Sequence, residues 1–288
     1  MSEAWTTRRL LAWMTQDFKA QELGTPRLDA EILISYALGI DRVRLYMDLE
    51  RPLSNLELAA VKALVVRRRQ REPVAYLIGR REFYRRDFKV TPAVLIPRPD
   101  TETLIERACE ILPADQALTV LDLCTGSGAI AVTLAAERPQ ISVVATDISD
   151  AALEIARENA RKHDVEARVE LRRGDLFDAV EPGARYDLIV ANPPYIRDDE
   201  LPQLAAELHH EPRLALTSGP EGLDVLTRLC AQVDQYMTKN AVLLFEVGAG
   251  QSERVAQLLA ANPGLTGVTT HRDLGGIERV VEARAASV

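Results

Sequence analysis

From residue 118 onward, short apolar runs alternate with segments of helical period, and no other feature of the chain restricts its fold as much. Residues 118–124 form an apolar run of strand length, and 128–137 carry a helical pattern. Residues 142–148 read as a second strand and 150–163 as a second helix. Further strands follow at 168–172, 186–191 and 241–247, with helices at 222–237 and 251–261. Apolar strands separated by helices predict a mainly parallel sheet covered on both faces. The last two runs, 267–271 and 278–283, are joined by a short turn around Gly275 and Gly276 and must pair antiparallel. The expectation is an α/β domain on a mainly parallel, seven-stranded sheet.

The first 72 residues read differently, as a small helical bundle. Thr25 before Pro26 suits a helix start. Leu28, Ile32 and Tyr36 recur at four-residue spacing and predict one buried face. Ser54 and Glu57 form a capping-box signature, and Leu56, Val61, Leu64 and Val65 continue that helix. Pro73 stops it. Residues 73–95 then carry β-like runs, read as a β-hairpin linker. Ile96-Pro97-Arg98-Pro99-Asp100-Thr101-Glu102 is a proline-stiffened lead-in to a helix beginning near Asp100. The expected domains are therefore 1–72, a hairpin at 73–95, and 96–288.

Composition narrows the class. Hydrophobic residues make up 47% and charged residues 27% of the 288, the balance of a globular chain. The formal charge is -8, which argues against a protein that coats nucleic acid through bulk charge. That charge is uneven. Residues 67–89 hold nine basic and three acidic side chains, so this segment is positive while the rest is strongly negative. It reads as a solvated, ion-paired face or as a guide for a protein partner. Three cysteines without metal spacing suit a reducing compartment. The apolar run at 10–14 is too short for a signal core, and no run approaches the roughly 18–20 residues of a membrane span. The four histidines show no metal-like arrangement. A cytoplasmic protein, with no membrane and no metal, is expected.

The first strand runs into Cys124-Thr125-Gly126-Ser127-Gly128. Its glycines permit a tight turn close to a ligand, and the next helix offers free backbone N–H groups. Ala131 takes the third glycine position of a dinucleotide loop. Such a turn can also be a bare strand-to-helix connection, but two carboxylates point further. Asp147, 19 residues after Gly128, ends the second strand, where a carboxylate can accept both hydroxyl protons of a ribose; it could also be a loop or N-cap residue. Asp122 interrupts an apolar strand, and a buried acid requires donors or a positive partner. A cofactor carrying an amine and a sulfonium suits it, and S-adenosylmethionine has both and lacks a pyrophosphate. Asp175, followed by Leu176, can accept from an adenine amino group beside an apolar cover, or be a surface aspartate.

The fourth strand ends in Asn192-Pro193-Pro194-Tyr195, the most specific feature of the chain. Ligands of open α/β sheets bind beyond the carboxyl ends of the strands. Two prolines stiffen the loop and donate no hydrogen bonds. The Asn192 side-chain oxygen and the Pro193 carbonyl can together accept both protons of a planar –NH2 group, and Tyr195 can stack on a flat substrate. Holding both N–H bonds favours pyramidal nitrogen, stabilises developing positive charge and aims the lone pair at a sulfonium methyl.

Taken together these residues resemble a class I, S-adenosylmethionine-dependent methyltransferase. More narrowly they resemble the HemK/PrmC family, which methylates the glutamine side-chain amide of class 1 peptide-chain release factors. The similarity spans nearly the whole chain. It runs through EPVAYLIGRREF at 72–83, IPRPDTE at 96–102, the 124–128 loop, Asn-Pro-Pro-Tyr, HEPRLAL at 210–216, Gly222-Leu223 and FEVGAGQ at 245–251. The resemblance implies a Rossmann-like fold and an N-terminal helical domain that grips a protein substrate. It implies cofactor contacts from Cys124, Thr125, Gly126, Ser127, Gly128, Asp147, Asp175, Leu176 and Asn192. Asn192, Pro193, Pro194 and Tyr195 would hold the glutamine of a Gly-Gly-Gln loop, with Asn192 and Pro193 catalytic. Cys124 stands where a glycine is commoner and Leu176 where some members have an aromatic; both leave backbone contacts available. A relative methylating a ribosomal-protein glutamine would share this site. A DNA amino-group methyltransferase suits Asn-Pro-Pro-Tyr less well, because only 93 residues follow Tyr195 and the overall charge is negative. A non-catalytic cofactor-binding module is disfavoured by the intact tetrad. No direct nucleic-acid partner is expected.

Overall fold

The computed structural model describes residues 4–286, so the expected domain ends at 1 and 288 lie outside it. The chain divides between Gly79 and Arg80 into two compact units.

The first unit is helical: α1 (Thr7–Ala20), α2 (Pro26–Leu38), α3 (Arg42–Met47), α4 (Asn55–Arg69) and α5 (Val74–Ile78). Leu10, Met14, Phe18, Leu33, Ile34, Leu45 and Val61 form its core. Ser54 and Glu57 make the expected capping box at α4. Trp5 and Trp13 meet edge to face with ring centroids 6.2 Å apart. The face predicted for α2 is wrong. Leu28 and Tyr36 are exposed, and Ala30, Leu33 and Ile34 are buried instead. The reason is electrostatic. Asp29 and Glu31 are buried too, Asp29 against Arg68 at 2.8 Å and Glu31 against Arg42 at 2.6 Å. Paired carboxylates can occupy a core face that periodicity reserves for apolar side chains. Leu56, in the first turn of α4, is exposed, while Val61, Leu64 and Val65 are buried. Residues 74–78 are helical, not β-like: Pro73 precedes the helix and Gly79, at φ +72°, ends it in the left-handed region.

The second unit opens with the hairpin β1 (Arg80–Phe83) and β2 (Arg86–Lys89). Tyr84 and Arg85 turn it with positive φ at both positions. Its Phe83 and Phe88 are buried in the core of this unit. Then come α6 (Glu102–Ile111), β3 (Thr119–Leu123), α7 (Ala129–Glu137), β4 (Ser142–Asp147), α8 (Asp150–Lys162), β5 (Val169–Arg173), β6 (Tyr186–Ala191), α9 (Asp224–Gln232), β7 (Met237–Glu246), α10 (Ser252–Ala260), β8 (Leu265–Arg272) and β9 (Glu278–Ala285). The seven strands lie in the order β5-β4-β3-β6-β7-β9-β8. The first five are parallel, β8 and β9 pair antiparallel as the sequence predicts, and β9 also runs antiparallel to β7. Side chains alternate along each strand. Val120, Leu188, Val190 and Leu244 thus feed one core layer, while Leu121, Leu123, Ile189 and Phe245 feed the other. Strand order reverses between β3 and β6, which puts the ligand crevice at their carboxyl ends.

The basic 67–89 segment is extensively paired. Arg67, Arg68 and Arg69 meet Glu72, Asp29 and Asp17, and Arg86 and Lys89 meet Glu137 and Glu158. Among the described residues no helix is long and apolar enough to cross a membrane.

Candidate active site

The turn after β3 is bent by its backbone. Cys124, Gly126 and Gly128 all have positive φ, at 60°, 56° and 78°. That is the left-handed region, costly for a side chain with a Cβ such as that of Cys124. A Cβ on Gly128 would lie 3.1 Å from the Ala156 Cβ, so the loop presses on α8. Asn159 of α8 secures it, donating to the Ser127 carbonyl at 2.9 Å and bonding the Lys89 backbone in both directions.

Asp122 is not part of the cavity lining, and its Oδ1 is buried without a hydrogen-bond partner. Its Oδ2 accepts from the Thr125 hydroxyl of the loop at 2.6 Å and from the Ala131 N–H of α7 at 3.2 Å. The carboxylate is fully buried, and burial pushes its pKa up to about 7.

A cavity of about 250 Å³ opens at the carboxyl ends of the strands. Cys124 to Ser127, Asp147, Asp175, Leu176, Asn192 and Pro194 line it. Gly128, Pro193 and Tyr195 are not part of the lining. Asp147 Oδ2 accepts from the Gly126 N–H and Oδ1 from the Ser149 N–H, each at 2.9 Å, and burial raises its pKa. Asp175 pairs with Arg228 at 2.8 Å. Leu176 is buried with φ +52°. Pro97 and Arg98, and Pro212, Leu214 and Ala215, also line the cavity. Glu211 joins these two segments, accepting from the Ile96 N–H at 3.0 Å and from the Arg98 guanidinium.

Asn192 is tied at one end only. Its Nδ2 donates to the Thr101 hydroxyl at 3.2 Å, so its carbonyl oxygen is the end left to accept. Thr101 is buried. Beside it stands Glu246, also fully buried, whose pKa burial raises to about 7 despite the Thr101 hydroxyl. The Tyr195 hydroxyl lies 3.5 Å from the Glu246 Oε1, and burial drives that phenol's pKa up. The partly buried Tyr195 ring packs against the core layer that holds Leu121, Leu123 and Phe245. Thr101, Glu246, Gln251, Arg228 and Glu211 were not assigned roles from the sequence. Thr101, Glu211, Glu246 and Gln251 lie within the runs that carry the family resemblance, which was their only signal.

The donor set discriminates between cofactors. The two arginines in the lining, Arg98 and Arg228, are each already paired with a carboxylate. Asp147 and Asp175 add negative charge. Such a cavity suits adenosine and a cationic centre better than a pyrophosphate. Among the described residues no group of three or more His, Cys, Asp or Glu could hold a metal.

Comparison with known proteins agrees with this geometry. Residues 9–79 match the PrmC N-terminal domain, and residues 101–240 match the methyltransferase small domain. The chain is 42% identical to the release factor glutamine methyltransferase of Geobacter sulfurreducens over 98% of both chains. It is 45% identical to that of Cereibacter sphaeroides, over 89% of this chain and 90% of the relative. In fold it is similar to a methyltransferase from Pyrococcus furiosus, with a TM-score of 0.52 at 14% identity over 77% of this chain and 96% of that one. The hMettl16 catalytic domain gives 0.56 at 14% identity over 70% and 75%. Matched over nearly its entire length by such relatives, and folded as a class I methyltransferase, the chain belongs to the release factor glutamine methyltransferase family.

Proposed function

We infer that this protein transfers the methyl group of S-adenosylmethionine to the side-chain amide nitrogen of the glutamine in the Gly-Gly-Gln loop of class 1 release factors. One observation carries the site assignment: Asn192, with its donor end tied to Thr101, lines the same cavity as Asp147 and the Cys124–Ser127 loop.

The residues present fit the cofactor. Asp147 would hold the ribose hydroxyls, the Cys124–Gly128 backbone the methionine portion, and Asp175 with Leu176 the adenine. When bound, the cofactor supplies an electrophilic methyl group on a sulfonium. The chain supplies the geometry. Asn192 Oδ1 and the Pro193 carbonyl accept the two N–H bonds of the target amide. An amide lone pair is delocalised into its carbonyl, so two fixed acceptors that favour pyramidal nitrogen act where the barrier lies. Pro193 and Pro194 keep those acceptors rigid, so positioning is settled before the reaction. Transfer would form the N–CH3 bond as the sulfonium C–S bond breaks, leaving a neutral thioether, and the extra proton on the acidified nitrogen would pass to solvent water. Pro194 and Leu214 contribute apolar surface to the cavity. The helical unit is the part that grips the protein substrate.

The test is labelled methyl transfer to a release factor, a ribosomal protein and DNA in parallel. Label should appear on the release factor and vanish when its loop glutamine is changed to alanine. Label on DNA alone would overturn the assignment, and retention by the alanine variant would place the modification elsewhere.

A further inference from the structure

Gln251 occupies the N-cap of α10, where Ser, Thr, Asp or Asn would satisfy the helix's free N–H groups. Its side chain makes no capping bond. It reaches away instead. Oε1 accepts from the Gly248 N–H at 2.9 Å, while Nε2 donates to the Tyr195 carbonyl at 2.9 Å and to the Gly222 carbonyl at 3.4 Å. One amide thus joins the loop after β6, the loop before α9 and the loop after β7. Each end of it meets a group of the right polarity, so the amide cannot flip without opposing like dipoles.

The surroundings are built closely around this contact. A Cβ on Gly222 would lie 2.4 Å from the Tyr195 carbonyl oxygen. A Cβ on Gly248 would lie 2.7 Å from Gln251 Oε1 and 3.0 Å from Tyr195 Cδ2. Meanwhile Pro193 and Pro194 have no N–H groups with which to fasten their own loop. The loop must be held from its carbonyls or from beyond the prolines. Ile196 provides one such tie, donating to the Leu216 carbonyl at 2.9 Å. The Ile196 carbonyl, which accepts from the Ser218 N–H at 2.9 Å, provides a second, and Gln251 a third on the Tyr195 carbonyl. A local rule broken at a helix start, with no local gain, is expected where function requires it.

We propose that Gln251 is a positioning residue for methyl transfer: it holds the Asn192–Tyr195 loop so that Asn192 and Pro193 present their acceptors at fixed places. The proposal rests on the methyl-transfer reading of that loop. A displacement of about 1 Å in such a loop costs roughly a hundredfold in rate.

The test uses the full-length protein, S-adenosylmethionine and a release factor. Gln251→Ala should lower kcat about ten- to a hundredfold, with the KM for release factor and the cofactor Kd within about threefold of wild type. Gln251→Glu adds a signature that general damage would not produce. Its carboxylate faces two carbonyl oxygens and is repelled, whereas its neutral acid has one donor and one acceptor and restores the clamp. The ratio of its kcat to wild type should therefore climb as pH falls, while the Gln251→Ala ratio stays flat. Glu246, with Asp100 and Arg279 acting on it, titrates in all three proteins and cancels in the ratio. Independently of turnover, the Ile196 amide should exchange its hydrogen faster in Gln251→Ala. A Gln251→Ala variant with wild-type kcat and unchanged Ile196 exchange overturns the proposal. So does an equal, pH-independent loss in both variants with weakened cofactor binding. If wild type transfers methyl to no acceptor, the functional reading fails, and the exchange measurement alone decides whether Gln251 holds the loop.

Discussion

The Asn192 amide donates to the Thr101 hydroxyl at 3.2 Å, joining the loop after β6 to the start of α6 across 91 positions of sequence. This contact decides which end of Asn192 faces a ligand. Without it the amide could present a donor where the chemistry needs an acceptor.

Thr101→Val keeps the shape of the side chain and removes the oxygen. It should lower kcat roughly tenfold, as expected for one lost hydrogen bond of about 1.4 kcal/mol at the reacting group. Thr101→Ser should retain most of the activity. Steady-state kinetics with a release factor check both, and a Val variant of wild-type kcat would detach Thr101 from Asn192 function.

Asp147→Ala should weaken S-adenosylmethionine binding about tenfold or more, the cost of a charge-assisted hydrogen bond of about 1.5–3 kcal/mol. Because Asp147 also holds the Gly126 and Ser149 N–H groups, Asp147→Asn should fall between alanine and wild type. Calorimetry decides; equal affinity in all three proteins would remove Asp147 from the ribose role.

Asp122 links the fold to pH. Its folded pKa of about 7 lies above the ordinary carboxylate value because burial penalises the charge. A raised folded pKa means the folded state holds a proton that the unfolded state releases. The associated stability is present below the unfolded pKa, near 4, and is lost as pH rises toward 7. Asp122→Asn removes that dependence. Its melting temperature should gain on wild type between pH 5 and pH 8, as read by thermal unfolding of the cofactor-free proteins. Parallel pH curves would refute a raised Asp122 pKa.

Cys124 sits in the left-handed region, where a side chain costs about 1–2 kcal/mol relative to glycine. Burial also pushes its thiol pKa up, so it should alkylate slowly at neutral pH. Cys124→Gly should keep methyl transfer near wild type and leave stability equal or higher. Loss of turnover with cofactor affinity intact would instead give the thiol a chemical role.

Much of this arrangement was legible along the chain. Near-continuous apolar strands such as Leu188 to Ala191 announce a sheet covered on both faces, and the glycine turn and the prolines mark where its ends face a ligand. What escaped reading was set by distant partners. The burial of Asp29 and Glu31 on α2 depends in part on Arg68 and Arg42, 39 and 11 positions away. Asp122 Oδ2 finds its donors at Thr125 and at Ala131 of α7, three and nine positions on, which the apolar strand pattern does not reveal. Thr101 and Gln251 gained meaning only when folding brought them to Asn192 and Tyr195, contacts that no local pattern encodes.

The central claim is that Asn192 acts on the target amide rather than on cofactor binding alone. Single-turnover methyl transfer by Asn192→Ala to a release factor, with cofactor affinity measured on the same preparation, tests it most directly. A fall in rate of about a hundredfold or more is expected, with S-adenosylmethionine binding still detectable. Single-turnover transfer near the wild-type rate would contradict it.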